Sequence, residues 1–407
     1  MCCVRILKLN YAIVFNTSVK KHIQIPKMRL RYKKDVDIVP FKCTSTIPTP
    51  YALREAARAE INSYIKDGII AKVKPSEQIV WCAKSMFVAK QVPTPDSTNP
   101  NPRLRKNLKP PSVRLVLDNR RQNQFLERDP YPFQSPKELA KSLTPTASVF
   151  IVVDLWKGYY QCPLHEDDQL DTTFMVHEMG CYKFLRAPQG CALSGDHFNK
   201  VTESLVEGIQ GCIKLIDDIL IFGQSIDEAF KSFEELLKRC KDKQFTLHPK
   251  KLQIGRKVAF AGYVITPQGI SIDEKKVIAI RNFKRPLSVT DMKSFIGLAV
   301  QFKDTCPNLM GTLKPLMDTI STKVTPATDV KGRKIANPKR IIEWSPMLEE
   351  AFLKAKQALT NTDGQILAQY DPTLPLIIYT DASRLNGYGW VSIQIDKDGK
   401  KKLIECG

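Results

Sequence analysis

The spacing of apolar and polar residues predicts an alternation of short strands and amphipathic helices. Apolar residues recur at helical intervals from Leu53 to Ile65, and the pattern stops at Asp67, which predicts one amphipathic helix packed on a core. Val113–Asp118 and Val149–Asp154 are short runs rich in β-branched residues, typical of buried strands. Strands and helices that follow one another in this way favour an α+β fold.

A second group of elements begins with an apolar run at residues 212–222. Ser225 and Glu228 form a capping-box sequence that predicts the start of a helix. Residues 258–265 predict one further strand, and residues 286–320 predict a separate helical unit. No internal repeat or low-complexity tract is evident.

The pair Asp217-Asp218 lies inside this apolar run, with Gly211 before it and Gly223 after it. The pattern predicts two short strands that meet at a tight turn, with both carboxylates at its tip. Burying carboxylates in apolar surroundings is costly unless they are ion-paired or coordinate a cation. The pair therefore favours a metal site over a purely structural turn.

Two other carboxylate positions bear on that interpretation. A second pair, Asp167-Asp168, lies in a polar stretch, and there we expect a solvated surface turn. Two Mg²⁺ ions need a third carboxylate, and Asp154 is the best candidate because it closes a buried strand and precedes a loop. Taken alone, Asp154 would more often be a helix cap or a turn residue.

Composition and charge narrow the class of protein. With 407 residues the chain exceeds the usual limit for one core, about 250 to 300 residues, so two or three domains are expected. The net charge of +20 implies a polyanionic partner, with nucleic acid as the default and an acidic membrane surface as the weaker alternative. Eleven cysteines without CxxC spacing argue against a disulfide framework or a zinc site. No signal peptide or membrane span is evident, so we expect an intracellular, reducing compartment, either cytoplasm or nucleus.

Three segments stand out by their basic or proline-rich character. The first 45 residues are basic and lack clear periodicity, which predicts an extended lead-in. Residues 91–112 contain six prolines and several basic residues, so we expect a mobile, positively charged loop. A solvated basic linker is an equally good interpretation of its individual lysines. Residues 321–340 form another basic linker.

Six short motifs follow one another in order along the chain: Arg114–Arg120, Asp154–Gln161, Leu185–Gly190, Ile216–Leu220, Leu247–Lys251 and Phe260–Tyr263. Together they resemble the motifs of reverse transcriptases from gypsy-like long-terminal-repeat retrotransposons, and their shared order argues against chance. The resemblance covers roughly residues 46–407. Many gypsy-like members carry phenylalanine where this chain has Gln189. At this position the chain is closer to the retroviral form.

The resemblance implies a metal-dependent site built on carboxylates. Asp154, Asp217 and Asp218 would hold two Mg²⁺ ions, with Mn²⁺ as the alternative metal. The role of Asp218 stays open, because successive strand side chains point to opposite faces unless the turn redirects one of them. The implied partners are an RNA or DNA template with its primer, together with deoxynucleoside triphosphates.

Other motif residues are implied to bind the nucleotide and the primer. Arg114 would neutralise the triphosphate, and Gln189 would lie under the incoming nucleotide. The ring of Tyr159 would exclude a ribose 2′-hydroxyl, although without the motif it would be an ordinary core aromatic. Lys250 or Lys251 would protonate the leaving pyrophosphate. The implied primer grip consists of Phe260, Gly262 and Tyr263.

The last part of the chain resembles the start of a retroelement RNase H domain. A strand is expected to end at Asp381 within Tyr379–Ser383, and Gly387–Trp390 follows. An RNase H site needs further acidic residues, and because the chain stops at Gly407 we expect no RNase H activity. The alternative for Asp381 is a strand-end turn residue.

The resemblance also implies an arrangement of domains. We expect an α+β right-hand polymerase with fingers and palm, a helical thumb or connection unit, and a truncated RNase H-like start. The expected boundaries are a basic lead-in at 1–45, fingers and palm at 46–265, the helical unit with the basic linker at 266–340, and the RNase H-like segment at 341–407.

One departure from the family leaves three functional hypotheses. The family usually has an aromatic residue two positions before Asp217, where this chain has Leu215, so we expect weakened rather than abolished activity. The leading hypothesis is an RNA-directed DNA polymerase. A decayed or repurposed protein that binds nucleic acid without catalysis is the alternative, and Tyr159 disfavours an RNA-directed RNA polymerase. Oligomeric state, template preference and membership of a longer polyprotein are left open by the sequence.

Overall fold

The computed structural model describes residues 9–17, 23–90, 112–131, 142–321, 326–328, 334–336, 340–360, 366–383 and 387–407. The loop expected at 91–112 lies outside these residues except for Ser112, and most of the linker at 321–340 lies outside them as well. The chain divides into two compact units. The first consists of Met1–Phe133, Val153–Gln210 and Ser232–Lys251, and the second of Gln134–Val152, Gly211–Lys231 and Leu252–Gly407.

Strands and helices alternate along the described residues, as the pattern of apolar positions predicts. The strands are β1 (Ile70–Lys72), β2 (Ala83–Ala89), β3 (Val113–Asp118), β4 (Val149–Asp154), β5 (Phe174–Val176), β6 (Gly180–Phe184), β7 (Cys212–Leu215), β8 (Asp218–Gly223), β9 (Gln253–Gly255), β10 (Val258–Phe260), β11 (Tyr263–Thr266), β12 (Gly269–Ile272), β13 (Pro326–Thr328), β14 (Lys334–Ala336), β15 (Leu376–Ser383), β16 (Gly387–Ile395) and β17 (Lys401–Cys406). The α-helices are α1 (Arg54–Lys66), α2 (Arg120–Asn123), α3 (Ala192–Val206), α4 (Ile226–Asp242), α5 (Glu274–Arg281), α6 (Val289–Val300), α7 (Leu309–Thr319) and α8 (Pro346–Thr360).

The first unit contains a five-stranded sheet with the order β1-β6-β5-β2-β3. β3 alternates buried and exposed residues over most of its length, because strand side chains point to opposite faces in turn. Helix α1 buries Ala57, Ile61 and Tyr64, and the chain leaves the helix through Gly68 at a φ of 64°. The amphipathic helix and the strand predicted at Val113–Asp118 are both confirmed.

The second unit contains a four-stranded sheet with the order β7-β8-β4-β9, to which β4 contributes all but its last two residues within this unit. β8 is buried from Ile219 to Gly223, so the apolar run around Asp217-Asp218 forms the interior of the sheet. Phe150, Val152, Leu220 and Phe222 are among the residues of the core beneath it. The hairpin and the strand predicted at Val149–Asp154 are therefore confirmed.

A helical part of the second unit follows, as the sequence predicts for residues 286–320. Helices α5 to α8 enclose one core, in which the rings of Phe295 and Phe352 meet edge to face at 4.7 Å. Helix α6 begins with a capping box between Ser288 and Asp291, which satisfies backbone groups at its first turn. None of the helices in the described part of the chain is long and apolar enough to cross a lipid bilayer.

Strands β15, β16 and β17 form an antiparallel sheet in the second unit. Leu367 connects this sheet to β12, because it exchanges two backbone hydrogen bonds with Ile270 and forms a bridge with Leu403. Cys406 at the end of β17 packs on the turn Lys303–Thr305, with its Sγ 3.3 Å from the carbonyl oxygen of Asp304. Backbone pairing therefore joins the last strands to the earlier part of this unit.

Two sequence predictions are wrong in detail. Residues 258–265 form two strands rather than one, because Ala261 and Gly262 adopt positive φ angles of 52° and 83° and reverse the chain. Asp167 is exposed as expected, but Asp168 is buried. Its carboxylate accepts from the Leu30 N–H at 2.9 Å and pairs with Arg29 at 2.8 Å, so the basic N-terminal segment covers it.

Gly211, at the base of the Asp217-Asp218 hairpin, is expected to tolerate no side chain. It has a φ of 64°, and an added Cβ would collide with the carbonyl oxygen of Phe222. We expect Gly211→Ala to lower the free energy of unfolding by roughly 3 kcal/mol or more. The control is Gly208→Ala, which has a φ of 73° but open space around the added Cβ. It should cost only about 1 to 2 kcal/mol for the backbone conformation. Urea unfolding of both variants measures the difference, and equal losses would contradict the collision.

Candidate active site

The Asp217-Asp218 pair lies at a two-residue turn between antiparallel strands. Leu215 stands opposite Asp218, which leaves Ile216 and Asp217 as the turn residues. Ile216 has a φ of 58°, a conformation that a β-branched residue adopts only at a cost of roughly 1 to 2 kcal/mol. Both aspartates are half-buried, and the strand behind Asp218 is fully buried. A strained turn on a rigid base fixes where the two carboxylates stand.

Asp154 ends the strand that neighbours β8 in the four-stranded sheet. Its carboxylate is buried and lies 2.5 Å from Nζ of Lys251, whose side chain is 57% exposed. The Asp154 carbonyl oxygen accepts from the His248 N–H at 2.8 Å. Of the two lysines that the sequence left open, the fold brings Lys251 to this carboxylate. Lys250 is exposed, and its N–H donates to Nδ1 of His248 at 3.3 Å.

Gln161 holds the two chain segments around Asp154 together. Its amide nitrogen donates to the carbonyl oxygens of Trp156 at 2.7 Å and Thr246 at 3.0 Å, and its amide oxygen accepts from the Thr246 N–H at 2.7 Å. Because the side chain is buried, water does not hydrate these backbone groups, and the Gln161 amide supplies their hydrogen bonds instead. Sequence reasoning included Gln161 only as a motif position. A glutamine between the apolar residues Tyr160 and Cys162 was the available signal.

Tyr159 packs edge-on against helix α3. Its ring centroid lies 5.1 Å from that of Phe198 at an interplanar angle of 82°. Its hydroxyl oxygen lies over Gly195, since a Cβ built on that glycine would be at an ordinary contact distance of 3.7 Å. The ring is half-buried, which differs from the fully buried position of an ordinary core aromatic.

Gln189 and Arg114 are both exposed residues of the first unit. Gln189 precedes Gly190, which has a φ of 93° and whose carbonyl oxygen accepts from the Asn123 side chain at 2.9 Å. The same side chain accepts from the Ala192 N–H at 3.0 Å, so helix α2 fixes this loop. Arg114 stands opposite Val88 on the β2–β3 pair, with its side chain on the exposed face.

The turn proposed as the primer grip lies in the second unit. Phe260 is buried, whereas Gly262 and Tyr263 are partly exposed. The Tyr263 hydroxyl donates to the carbonyl oxygen of Gln301 at 3.1 Å, and its ring meets Phe302 edge to face at 5.7 Å. Burial, reinforced by a nearby carboxylate, raises the pKa of the Tyr263 hydroxyl above its usual value, so it stays a donor.

Asp381 lies inside a strand and not at its end. β15 continues to Ser383, and Asp381 stands opposite Gly389 of β16. The interpretation of Asp381 as a strand-end turn residue is therefore wrong. Together with Thr380, Tyr388 and Trp390 it lines a cleft of about 450 Å³.

The donor chemistry of the three aspartates suits a hard divalent cation. Carboxylate oxygens are the ligands that Mg²⁺ prefers, and the Lys251 ammonium already sits as a cation on Asp154. Asp154 belongs to the first unit and Asp217 and Asp218 to the second. Within the described residues, no group of three or more His, Cys, Asp or Glu side chains is close enough together to hold a metal ion.

Two protein-family models match the chain. Residues 104–265 match the family described as "Reverse transcriptase (RNA-dependent DNA polymerase)". Residues 344–407 match the "RNase H-like domain found in reverse transcriptase". The two matches lie where the sequence motifs predict the polymerase and the RNase H-like segments.

Curated relatives include Pol polyproteins of Drosophila melanogaster retrotransposons. The chain is 26% identical over 389 residues to the retrovirus-related Pol polyprotein from transposon gypsy, covering 95% of this chain and 34% of the relative. It is 25% identical over 362 residues to the polyprotein from transposon 412, covering 88% of this chain and 26% of the relative. The chain thus spans about a third or less of the length of these relatives.

Solved structures with the same fold include the foamy viral protease-reverse transcriptase in complex with an RNA/DNA hybrid. That structure has a TM-score of 0.77 at 21% identity, and the match covers 99% of this chain and 49% of the other. The complex of a related foamy viral form with double-stranded DNA gives 0.76 at 22% identity, covering 98% and 63%. The polymerase fold predicted from the sequence is confirmed. Residues 104–265 therefore carry a reverse transcriptase domain and residues 344–407 an RNase H-like domain, and the chain as a whole is similar to the Pol polyproteins of gypsy and related retrotransposons.

Proposed function

We propose that this chain is an RNA-directed DNA polymerase that extends a primer with deoxynucleotides by two-metal nucleotidyl transfer. The observation that carries the proposal is the turn at Asp217-Asp218, strained at Ile216 and fixed on a buried strand, within a region that matches the reverse transcriptase family. The net charge of +20 supports a nucleic-acid partner. The foamy viral relatives of the same fold were solved with an RNA/DNA hybrid and with double-stranded DNA.

Asp154, Asp217 and Asp218 are the proposed metal ligands. Two Mg²⁺ ions, or Mn²⁺ in their place, would supply charge neutralisation for the triphosphate and polarise the primer 3′-hydroxyl. Asp154 would hold one of these ions with the carboxylate that now accepts a hydrogen bond from Lys251. The Lys251 ammonium beside that carboxylate would be the acid that protonates the leaving pyrophosphate. Lys250, which is exposed and has no such contact with Asp154, is the weaker candidate for this proton.

Arg114, Gln189 and Tyr159 are the proposed nucleotide-binding residues. Arg114 on the exposed face of β3 neutralises triphosphate charge, and Gln189 on its fixed loop lies under the incoming nucleotide. Tyr159 is buttressed by Phe198, so its ring cannot retreat easily from a bulky sugar. A ribose 2′-hydroxyl is then excluded by volume. Phe260, Gly262 and Tyr263 are proposed to hold the primer.

Some expectations from the sequence stay proposals. The domain boundaries at 1–45, 46–265, 266–340 and 341–407 are among them. So is a reducing compartment, which the cysteine spacing favours because the eleven cysteines lack the pattern of a disulfide framework. The lack of RNase H activity also stays a prediction, and the match of residues 344–407 to an RNase H-like domain weighs against it. Degradation of the RNA strand in the extension reactions tests it.

Binding of nucleic acid without catalysis is the competing function. Leu215 favours it, since the family's aromatic residue is missing from the strand opposite Asp218. The intact carboxylates favour the polymerase.

Primer extension on an RNA template with Mg²⁺ and deoxynucleotides tests the proposed activity. We expect Asp217→Asn to lower the rate at least about 1,000-fold, because a neutral amide is a poorer Mg²⁺ ligand than a carboxylate. The matched control is Asp167→Asn, an exposed aspartate of the other pair, which should extend like the parent. Tight, salt-sensitive template binding by a parent protein that never extends would sink the polymerase and leave the binding function.

Tyr159→Val should relax sugar selection. We expect the preference in kcat/KM for deoxynucleotides over ribonucleotides to fall roughly 100-fold, since removing the ring opens space for a 2′-hydroxyl. Tyr159→Phe keeps the ring against Phe198 and serves as the control that retains the preference. Single-nucleotide incorporation with each sugar measures the ratio. An unchanged ratio in the valine variant would remove Tyr159 from the sugar pocket.

Leu215→Tyr tests the departure from the family. Leu215 is half-buried opposite Asp218, so an aromatic ring there adds contacts that contribute about 0.5 to 1.5 kcal/mol of interaction energy. We expect primer extension to accelerate about 2- to 12-fold. Extension rates at saturating nucleotide measure the change, and an unchanged rate means that leucine serves as well as the ring.

A further inference from the structure

Lys276 of helix α5 lies against the turn of the β10–β11 hairpin. A Cβ added to Gly262 would collide with the end of this side chain, and would lie 2.9 Å from its Cε. The helix that carries Lys276 is tied to the same turn, since the Asp273 N–H donates to the Gly262 carbonyl oxygen at 3.3 Å. Glycine at this position thus permits a close approach of the ammonium to the backbone.

The turn itself presents backbone donors. Phe260 and Tyr263 are paired, so Ala261 and Gly262 are the two turn residues, both with positive φ. Over the described residues, neither of their N–H groups donates to a backbone carbonyl. Ala261 holds a left-handed conformation that costs it roughly 1 to 2 kcal/mol. Positive φ at both positions is the usual geometry of a two-residue hairpin turn, and it leaves these two N–H groups without a backbone acceptor among the residues that the structure describes.

The ammonium of Lys276 is held by neutral groups. It donates to Oε1 of Gln301 at 3.1 Å and lies 5.1 Å from the ring centroid of Phe302. In the described part of the chain, no carboxylate lies within 4.0 Å of it. An amide and a ring orient the charge without neutralising it, so the charge remains available to an anion. Tyr263 bonds to the backbone of the same Gln301, which fixes the two sides of the turn relative to each other.

We propose that Lys276 binds one backbone phosphate of the primer strand at the Ala261-Gly262 turn. The proposal rests on the proposed function, because it takes the hairpin as the place where the primer lies. It adds to the turn a cation from a neighbouring helix, which recognises the strand by its phosphate and not by its bases. The loss of this contact weakens primer binding equally for every sequence.

Lys275 is the matched control. It is the adjacent residue on the same helix, carries the same charge and is exposed. Lys276→Gln and Lys275→Gln therefore change the net charge of the protein equally. Any difference between them reports the position of the charge and not its amount.

The experiment measures the affinity of the full chain for an RNA template with a DNA primer, without deoxynucleotides, at several salt concentrations. We expect Lys276→Gln to weaken binding about tenfold and to reduce the slope of log K against log salt by about 0.7 to 0.9. Lys275→Gln should change the affinity and the slope by no more than about a third of the changes expected for Lys276→Gln. Lys276→Arg keeps the charge and should retain the slope, which excludes misfolding as the cause. Equal changes in the two glutamine variants, or no change in either, would overturn the proposal.

Primers with one neutral methylphosphonate each locate the contact. At one primer phosphate, the substitution should weaken binding by the parent but not further weaken binding by Lys276→Gln. No such position along the primer would remove Lys276 from the phosphate. The readout is separate from catalysis. If the parent protein shows this coupling but never extends a primer, the polymerase proposal is wrong and the Lys276 contact stands. If it extends primers normally without the coupling, the polymerase proposal stands and the Lys276 contact is wrong.

Discussion

A buried negative charge must have a cation beside it, and the arrangement around Asp154 depends on this constraint. The carboxylate ends an apolar strand where water cannot solvate it, so removing its partner without a replacement is costly. Lys251 supplies the cation from 97 positions further along the chain. Gln161 then fixes the backbone that leads to Lys251, through three hydrogen bonds to Trp156 and Thr246. The Asp154 carboxylate is thus held at a fixed place with a cation as its partner.

The same constraint takes another form at Asp217 and Asp218. These carboxylates are half-buried at a turn, so part of their charge is solvated and part faces the protein. At this turn the energetic cost is backbone strain, because Ile216 holds a positive φ that glycine or asparagine adopts more easily. The buried strand from Ile219 onward keeps that conformation in place. If the two aspartates act as proposed, this rigidity matters, because a small displacement of a metal ligand changes the rate strongly.

Local patterns predicted most of the scaffold. The hairpin, the helix at residues 54–66 and the strand that ends at Asp154 each follow from a few neighbouring residues. What the sequence could not give were contacts between distant segments. Asp168 was assigned to solvent because its partner Arg29 lies 139 positions earlier. The preference for Lys251 over Lys250 likewise depends on how segments far apart in the chain come together. The turn at Ala261 was missed because alanine rarely adopts a positive φ, so Gly262 was the local signal for the chain reversal and was taken as part of the strand.

The bridge at Leu367 has a consequence for how the protein can be divided. The backbone groups of Ile270 in β12 are satisfied by Leu367, which in turn is paired with Leu403 of β17. A fragment that ended before residue 366 would leave Ile270 as an unpaired sheet edge, and bare edges recruit strands from other molecules. Strand β12 and the RNase H-like strands are therefore joined by backbone hydrogen bonds at Leu367. A fragment that keeps this edge of β12 paired has to extend through Leu367 and the strand that pairs with it.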